Sequence, residues 1–361
     1  MLQGNAQRSR VFATQSTDAP PRQLLWQVEK LFRLRFSESY VTRMPEAVIY
    51  GELSTGHGFT PPLISGDTIF FSIYQGDSYF YAVDAVTGNQ IVTLKFERNR
   101  LSLTAAIGPV AYFGTATGTV NAYDASTQKL KWSFDAKDTS FNGADPAIVD
   151  GVVYISGYGS GIYALTADTG TLLWQFKFDK PLYGPAIQGD DLIVRSEKTL
   201  IALDRKTGAK KWESNIGRDF LGPSILGDQI FLRHILGEIR AYSLQDGALR
   251  WQLKKRGGTV TNLALFNDVV IYGEEYGNLV ALDARTGLEK WRFKTKKRCR
   301  NPIVAGTTVY SRCDDHYLYA LDAETGVLRW SADSRGSGMT PMIAGGIMYS
   351  LSADGALQAF R

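Results

Sequence analysis

Cysteine and histidine are scarce in this chain of 361 residues, which holds two of the first and three of the second. Two thiols cannot build a multi-disulfide framework or a four-thiolate zinc site. The histidines, His57, His234 and His316, are too dispersed for one metal shell, so no metal ligands are assigned. No run of about 18 apolar residues occurs, so no transmembrane helix is expected. A formal net charge of +4 is mild for this length and does not argue for nucleic acid. Helical periodicity is missing over most of the chain. No Ser-His-Asp arrangement and no phosphate-cradling glycine loop can be assembled. Gly157-Tyr158-Gly159-Ser160-Gly161 lies between strand-like runs with no helix after it, and it reads as a β-turn. Residues 1–21 are polar and lack an apolar signal core, so they read as a disordered leader with no intact secretory signal.

What is present is a repeat. The seven tryptophans fall in one slot of a unit reading Y-A-L-D-A-x-T-G-x-x-x-W. Its clearest copy runs from Tyr319 to Trp330, and the same register places Trp132, Trp174, Trp212, Trp251 and Trp291, with Trp26 as an early outlier. The Asp slot is filled by Asp84, Asp124, Thr166, Asp204, Ser243, Asp283 and Asp322, at spacings of 38 to 42 residues. Alanine stands two residues before it in every copy, including an eighth, cut short at Ala359. That copy lacks its turn and its Trp strand. Residues 22–29 supply such a strand at the other end of the chain, so the N-terminal strand is expected to complete the last repeat.

Each copy holds four short apolar runs between Gly, Asp and Asn clusters, the pattern of antiparallel strands. In the seventh copy these are 301–304, 308–312, 317–321 and 327–330. A period near forty with four strands per unit predicts an all-β, eight-bladed β-propeller of four-stranded antiparallel blades. One domain is expected over residues 22–361, because a ring grows by adding blades where a single core of this size would split. The Asp slot can cap backbone N–H groups of the next turn, and Thr166 and Ser243 can do so more weakly. Glycine at 88, 170, 208, 247, 287 and 326 suits a left-handed turn position. Gln128 replaces it in the second copy, at a cost of about 1 kcal/mol. The first copy has Val92 in the Trp slot. The recurring alanine suggests a site against which the indole packs.

Three irregularities stand out. A segment at about 30–57 is inserted after Trp26, either a functional loop or a cap on the seam where the ring closes. Basic residues crowd two inter-blade loops: Lys254, Lys255 and Arg256, then Lys296, Lys297 and Arg298. They form a candidate partner-binding ridge, which Glu274, Glu275, Asp314 and Asp315 on the same face could balance. Finally, Cys299 and Cys313 flank one hairpin. A two-residue turn puts Ala305 opposite Thr308 and Cys299 opposite Asp314, one position out of register. A bulge would bring the thiols together as a disulfide; without one they are two small buried residues.

The motif Ala-x-Asp-x-x-Thr-Gly-x-x-x-Trp resembles the tryptophan-docking repeat of quinoprotein-like β-propellers over about 340 residues. That superfamily includes enzymes that bind pyrroloquinoline quinone with Ca²⁺, and non-enzymatic scaffolds such as the outer-membrane-protein assembly lipoprotein (the BamB type). The length, the N-terminal closing strand and the short loops resemble the scaffold branch. No adjacent cysteine pair exists for stacking on a quinone, and no catalytic residue can be carried over. The resemblance implies a binding scaffold with envelope-protein partners, in the periplasm or another extracytoplasmic place, with no cofactor and no nucleic acid. The chain lacks the family's N-terminal lipid-acceptor cysteine, so membrane association would need an anchor on a removed signal. The alternative is a quinone-dependent oxidoreductase, or a quinone- or carbohydrate-sensing propeller.

Overall fold

The structure, a computed structural model, describes residues 11–12, 24–28, 57–59 and 62–360, apart from positions 103–104, 138, 142–145, 160, 255–257, 335–340, 345 and 352–356. These residues form eight separate antiparallel sheets in chain order, the blades of a propeller. Blade seven shows the unit: Ile303–Ala305 innermost, then Thr308–Arg312, Tyr317–Asp322 and, outermost, Leu328–Asp333. The two middle strands are those the sequence predicts, with the third one residue longer. The flanking two shift by one to three residues, because strand ends depend on pairing rather than on local pattern.

Closure is as expected. Leu24–Val28 pairs antiparallel with Leu357–Phe360 and becomes the outermost strand of blade eight, with Trp26 opposite Ala359. Eight apolar clusters then fill the eight seams between neighbouring blades. The closing seam sets Ile69, Phe71 and Val83 of blade one against Tyr349, Leu357 and Ala359 of blade eight. Inner strands are covered on both faces, which is why they read as unbroken apolar runs. Val269 and Ile271 of blade six face blade seven, whereas Val270 and Tyr272 face blade five.

Two segments add strands to this plan. Val11–Phe12, inside the stretch expected to be a disordered leader, pairs in parallel with Val304–Ala305 on the axial edge of blade seven. Disorder therefore does not hold for those two residues; the rest of 1–21 lies outside the described residues. Blade one has an inner edge in two pieces, His57–Phe59 and Leu63–Ser65, both paired with Thr68–Gln75. The expected insertion at about 30–57 lies outside the described residues except for His57, which begins the first of these pieces.

The repeated residues act between blades as well as within them. Each Trp faces the predicted alanine on its own sheet, as Trp132 faces Ala122 and Trp291 faces Ala281. In five of them the indole N–H also donates to a carbonyl of the next blade: Trp132 to Ala167 (2.9 Å), Trp174 to Arg205 (3.1 Å), Trp212 to Leu244 (3.0 Å), Trp251 to Ala284 (2.8 Å) and Trp291 to Ala323 (3.1 Å). The N–H of each accepting residue is tied to the inner hairpin of its own blade, as Ala284 N–H is to Asp268 O at 2.7 Å. The same turn is braced by the Asp slot, where Asp283 accepts from the Thr286 amide (2.8 Å) and hydroxyl (2.7 Å).

Glycine in the turn is required twice over. Its φ is positive, 69° to 74° at Gly170, Gly208, Gly247, Gly287 and Gly326. A Cβ there would also lie 2.6–2.7 Å from the indole of the preceding blade. The two exceptions in the sequence explain each other. Blade one carries Val92 in place of Trp, so blade two meets no indole, and Gln128 occupies the glycine slot at φ 56°. Strain remains there, but the collision is gone.

Candidate functional site

Inter-blade loops and the turns between second and third strands share one face of the ring. On blades five to seven this face carries the predicted basic residues. Lys254, Lys296 and Lys297 are exposed and Arg298 is half-buried, while Lys255 and Arg256 lie outside the described residues. Among the described residues, the ammonium groups of Lys254, Lys296 and Lys297 have no carboxylate partner. The acids of that face have other partners, although Asp315 Oδ2 also accepts the backbone N–H of Lys296 at 3.4 Å. Glu274 meets Arg292 at 2.8 Å and Asp314 meets Arg300 at 3.0 Å. Glu275 accepts the Thr259 amide at 2.7 Å, and Asp315 accepts the Tyr319 hydroxyl at 2.8 Å. Burial, with Asp315 beside it, holds the Tyr319 hydroxyl well above the usual phenol range.

The loop that bears Lys296, Lys297 and Arg298 is pinned. Cys299 and Cys313 form a disulfide, with Cα atoms 3.8 Å apart. The predicted register is right as far as it goes: Ala305 faces Thr308 and Ile303 faces Tyr310. Beyond that the first strand carries one extra residue, so Cys299 comes opposite Cys313 rather than Asp314. This is the bulge that the sequence left open. Arg300 N–H donates to Arg312 O at 2.7 Å, and Ser311 Oγ donates to Arg300 O at 2.8 Å, which fixes it.

Apolar side chains join these cations, a feature that the charge pattern did not flag. Leu236 and Tyr276, at turn tips of blades five and six, are 67% and 79% exposed. Tyr276 leans toward Gly258, in the loop that also holds Lys254. Three arginines were missed as well: Arg195, Arg233 and Arg312, at the upper ends of the second strands of blades four, five and seven. Arg195 lies over the Tyr183 ring at 4.3 Å. Arg233 reaches across a seam to Asn262 Oδ1 and Val260 O. Arg312 is half-buried, and its Nε has no hydrogen-bond partner among the described residues. Burial, with Arg300 nearby, pulls its pKa down. An internal repeat comparison would have found all three, since each stands where other blades have Ser156 or Gly273.

The remaining predicted positions are structural or scattered. Trp132, Trp291 and Trp330 are buried, whereas Trp174, Trp212 and Trp251 are half-buried. His234 packs edge-on against Phe220 at 4.9 Å, and His316 sits in a turn at φ 72°. The described residues contain no group of three or more His, Cys, Asp or Glu placed to hold a metal ion. None of their helices is long and apolar enough to cross a membrane.

No curated protein sequence matches the chain. Solved structures match its fold. BamB from Moraxella catarrhalis is 20% identical, with a TM-score of 0.62 over 84% of this chain and 94% of that one. The quinohemoprotein alcohol dehydrogenase ADHIIG from Pseudomonas putida is 13% identical, with a TM-score of 0.61 over 82% and 70%. Sqt1 from Chaetomium thermophilum, solved with the N-terminus of a ribosomal protein, is 12% identical, with a TM-score of 0.66 over 84% and 95%. These identities establish shared architecture. The family described as outer membrane protein assembly factor BamB matches in five overlapping stretches, 15–155, 77–219, 116–271, 159–303 and 277–361. Together these stretches span the repeats from end to end, and the chain belongs to that family.

Proposed function

We propose that this protein is a non-enzymatic binding scaffold of the bacterial cell envelope, acting outside the cytoplasm in outer-membrane-protein assembly. The observation that carries the reading is the face of blades five to seven, which carries exposed Leu236 and Tyr276 together with exposed Lys254, Lys296 and Lys297. Apolar anchors ringed by cations on a rigid support suit a protein partner with an acidic rim. The disulfide and the Arg300–Asp314 pair hold one of the loops in shape, so little ordering entropy is lost on binding. Membership of the assembly-factor family supports the same role, as does the ribosomal-protein segment seen with a propeller of this architecture. The test is crosslinking and affinity capture from native membranes. Lys296→Glu with Lys297→Glu should reduce capture of the wild type's partners and flatten its salt dependence. Equal capture at all salt concentrations would remove this face from the reading.

A second reading, a quinone-dependent oxidoreductase, draws on one observation. The unpartnered Nε of Arg312 is the kind of donor a carboxylated quinone would take. Equilibrium dialysis with pyrroloquinoline quinone and Ca²⁺ decides between the two. Stoichiometric binding with alcohol-driven dye reduction would overturn the scaffold reading.

A further inference from the structure

The outer edge of blade three differs from the others in one respect, the exposure of an apolar residue at its bulge. Each outermost strand carries a bulge one residue before its Trp slot. Five of the bulged residues are cations: Lys131, Lys211, Arg250, Lys290 and Arg329. All five are anchored nearby. Lys131 reaches Asp168 (3.2 Å), Lys211 Asp191 (2.6 Å), Lys290 Asp268 (3.3 Å) and Arg329 Asp322 (2.8 Å), and Arg250 donates to Ser243 Oγ (3.1 Å). Two others are apolar but packed, Ile91 against the seam of blades one and two, and Leu25 against the closing seam. The eighth is Leu173, which is 51% exposed and follows Leu172 at 43%.

Charge on an edge strand is a common guard against pairing with another chain. Blade three has no charge at its bulge and none along Leu172–Phe176; blade eight shares that lack along Leu24–Val28, but there the bulged Leu25 is packed against a seam, whereas Leu173 is open. A groove of about 420 Å³ runs beside the same strand, lined by Leu172 and Gln175 together with Phe134, Tyr163 and Phe178. Two carboxylates and two ammonium groups at its rim, Asp135, Asp179, Lys137 and Lys177, leave it without net charge. An uncharged occupant is favoured. The open strand is five residues long, or about 17 Å at roughly 3.4 Å per residue, which matches an extended peptide better than a small molecule.

We propose that the outer edge of blade three accepts an extended, uncharged, apolar segment of a partner polypeptide as an added β-strand, with one aromatic or aliphatic side chain seated in the groove. This rests on the scaffold reading and gives it a second, separate contact. The probe is a fluorescein-labelled octapeptide of alternating threonine and phenylalanine, followed by anisotropy with the full chain. Wild type should bind it. Leu173→Lys, which restores the guard, should weaken binding about tenfold or more with an unchanged melting temperature. A peptide N-methylated at alternate amides should weaken by a similar factor, because it keeps the side chains and loses the strand pairing. The proposal is overturned by no binding to wild type, by equal binding to Leu173→Lys or by equal binding of the N-methylated peptide. A wild-type dimer that Leu173→Lys dissolves also overturns it, since a second copy would then be the occupant. Capture of native partners separates the two readings: equal capture by wild type and Leu173→Lys sinks the edge alone, whereas no capture by either sinks the scaffold.

Discussion

Replacing Gly326 by alanine tests the wedge that links the blades. Two penalties add at this position. Backbone φ is 72°, where an L-residue with a Cβ is strained by about 1 kcal/mol. The new Cβ would stand 2.6 Å from Cδ2 of Trp291, well inside contact distance. Relieving it means moving the indole, whose N–H is held by Ala323 O at 3.1 Å. Overpacking of this kind costs about 1–3 kcal/mol. The expected total is therefore about 2–4 kcal/mol. Urea denaturation followed by circular dichroism should show a lower midpoint at an unchanged slope. A double-mutant cycle isolates the collision. In a Trp291→Val background the second penalty vanishes, and Gly326→Ala should cost only about 1 kcal/mol. Blade two supplies the natural control: Gln128→Gly removes strain alone and should stabilise by up to about 1 kcal/mol. If Gly326→Ala costs under about 1 kcal/mol, or costs the same in both backgrounds, the indole is not what forbids a side chain there.

Other perturbations probe closure, acid stability and the pinned loop. Deleting residues 1–29 removes the outermost strand of blade eight and should lower the melting temperature sharply; an unchanged melting curve would rule out this closure. Burial pushes the carboxyl of Asp322 up, but hydrogen bonds from Arg329, Thr325 and Glu324 outweigh it and bring the pKa to about 2, against 3.8 as the reference. A depressed folded pKa stabilises above the unfolded value, and that stability is lost as pH falls from about 4 through about 2. Asp322→Asn should lower stability by about 1–2 kcal/mol at pH 7, allowing for partial exposure, and flatten the acid limb of a melting-temperature profile. A variant as acid-labile as wild type would contradict this. Reducing Cys299–Cys313, which closes a separation of 14 residues, should cost about 2–3 kcal/mol and show as a reductant-dependent midpoint. Equal midpoints with and without reductant would mean that the loop is held by Arg300–Asp314 and the backbone alone.

The architecture was legible because the same slot recurs at spacings of 38 to 42 residues and because rare residues mark it. Tryptophan opposite alanine, glycine in the turn and an orphan strand at each end of the chain together define a ring. The register of the Cys299 hairpin was legible only up to Ile303. Whether one extra residue bulges there depends on hydrogen bonds of Arg300 and Ser311 that no local pattern encodes. The leader was read as disordered from its polarity, yet Val11–Phe12 pairs with an axial edge that exists only after the ring has formed.

Local sequence thus determined what each blade is, because strand pattern, turn chemistry and the Trp–Ala pairing act within about forty residues. Tertiary structure alone decided what lies between blades and on their rims. The glycine slot answers to an indole of the preceding blade, and for that reason Val92 and Gln128 depart from the repeat together. Likewise, Leu25 is packed and Leu173 is left open according to the seams around them, and Tyr276 of blade six meets the Gly258 loop only once blades five and six are neighbours. Contacts between blades join separate sheets, and their free energy appears only when neighbouring blades pack.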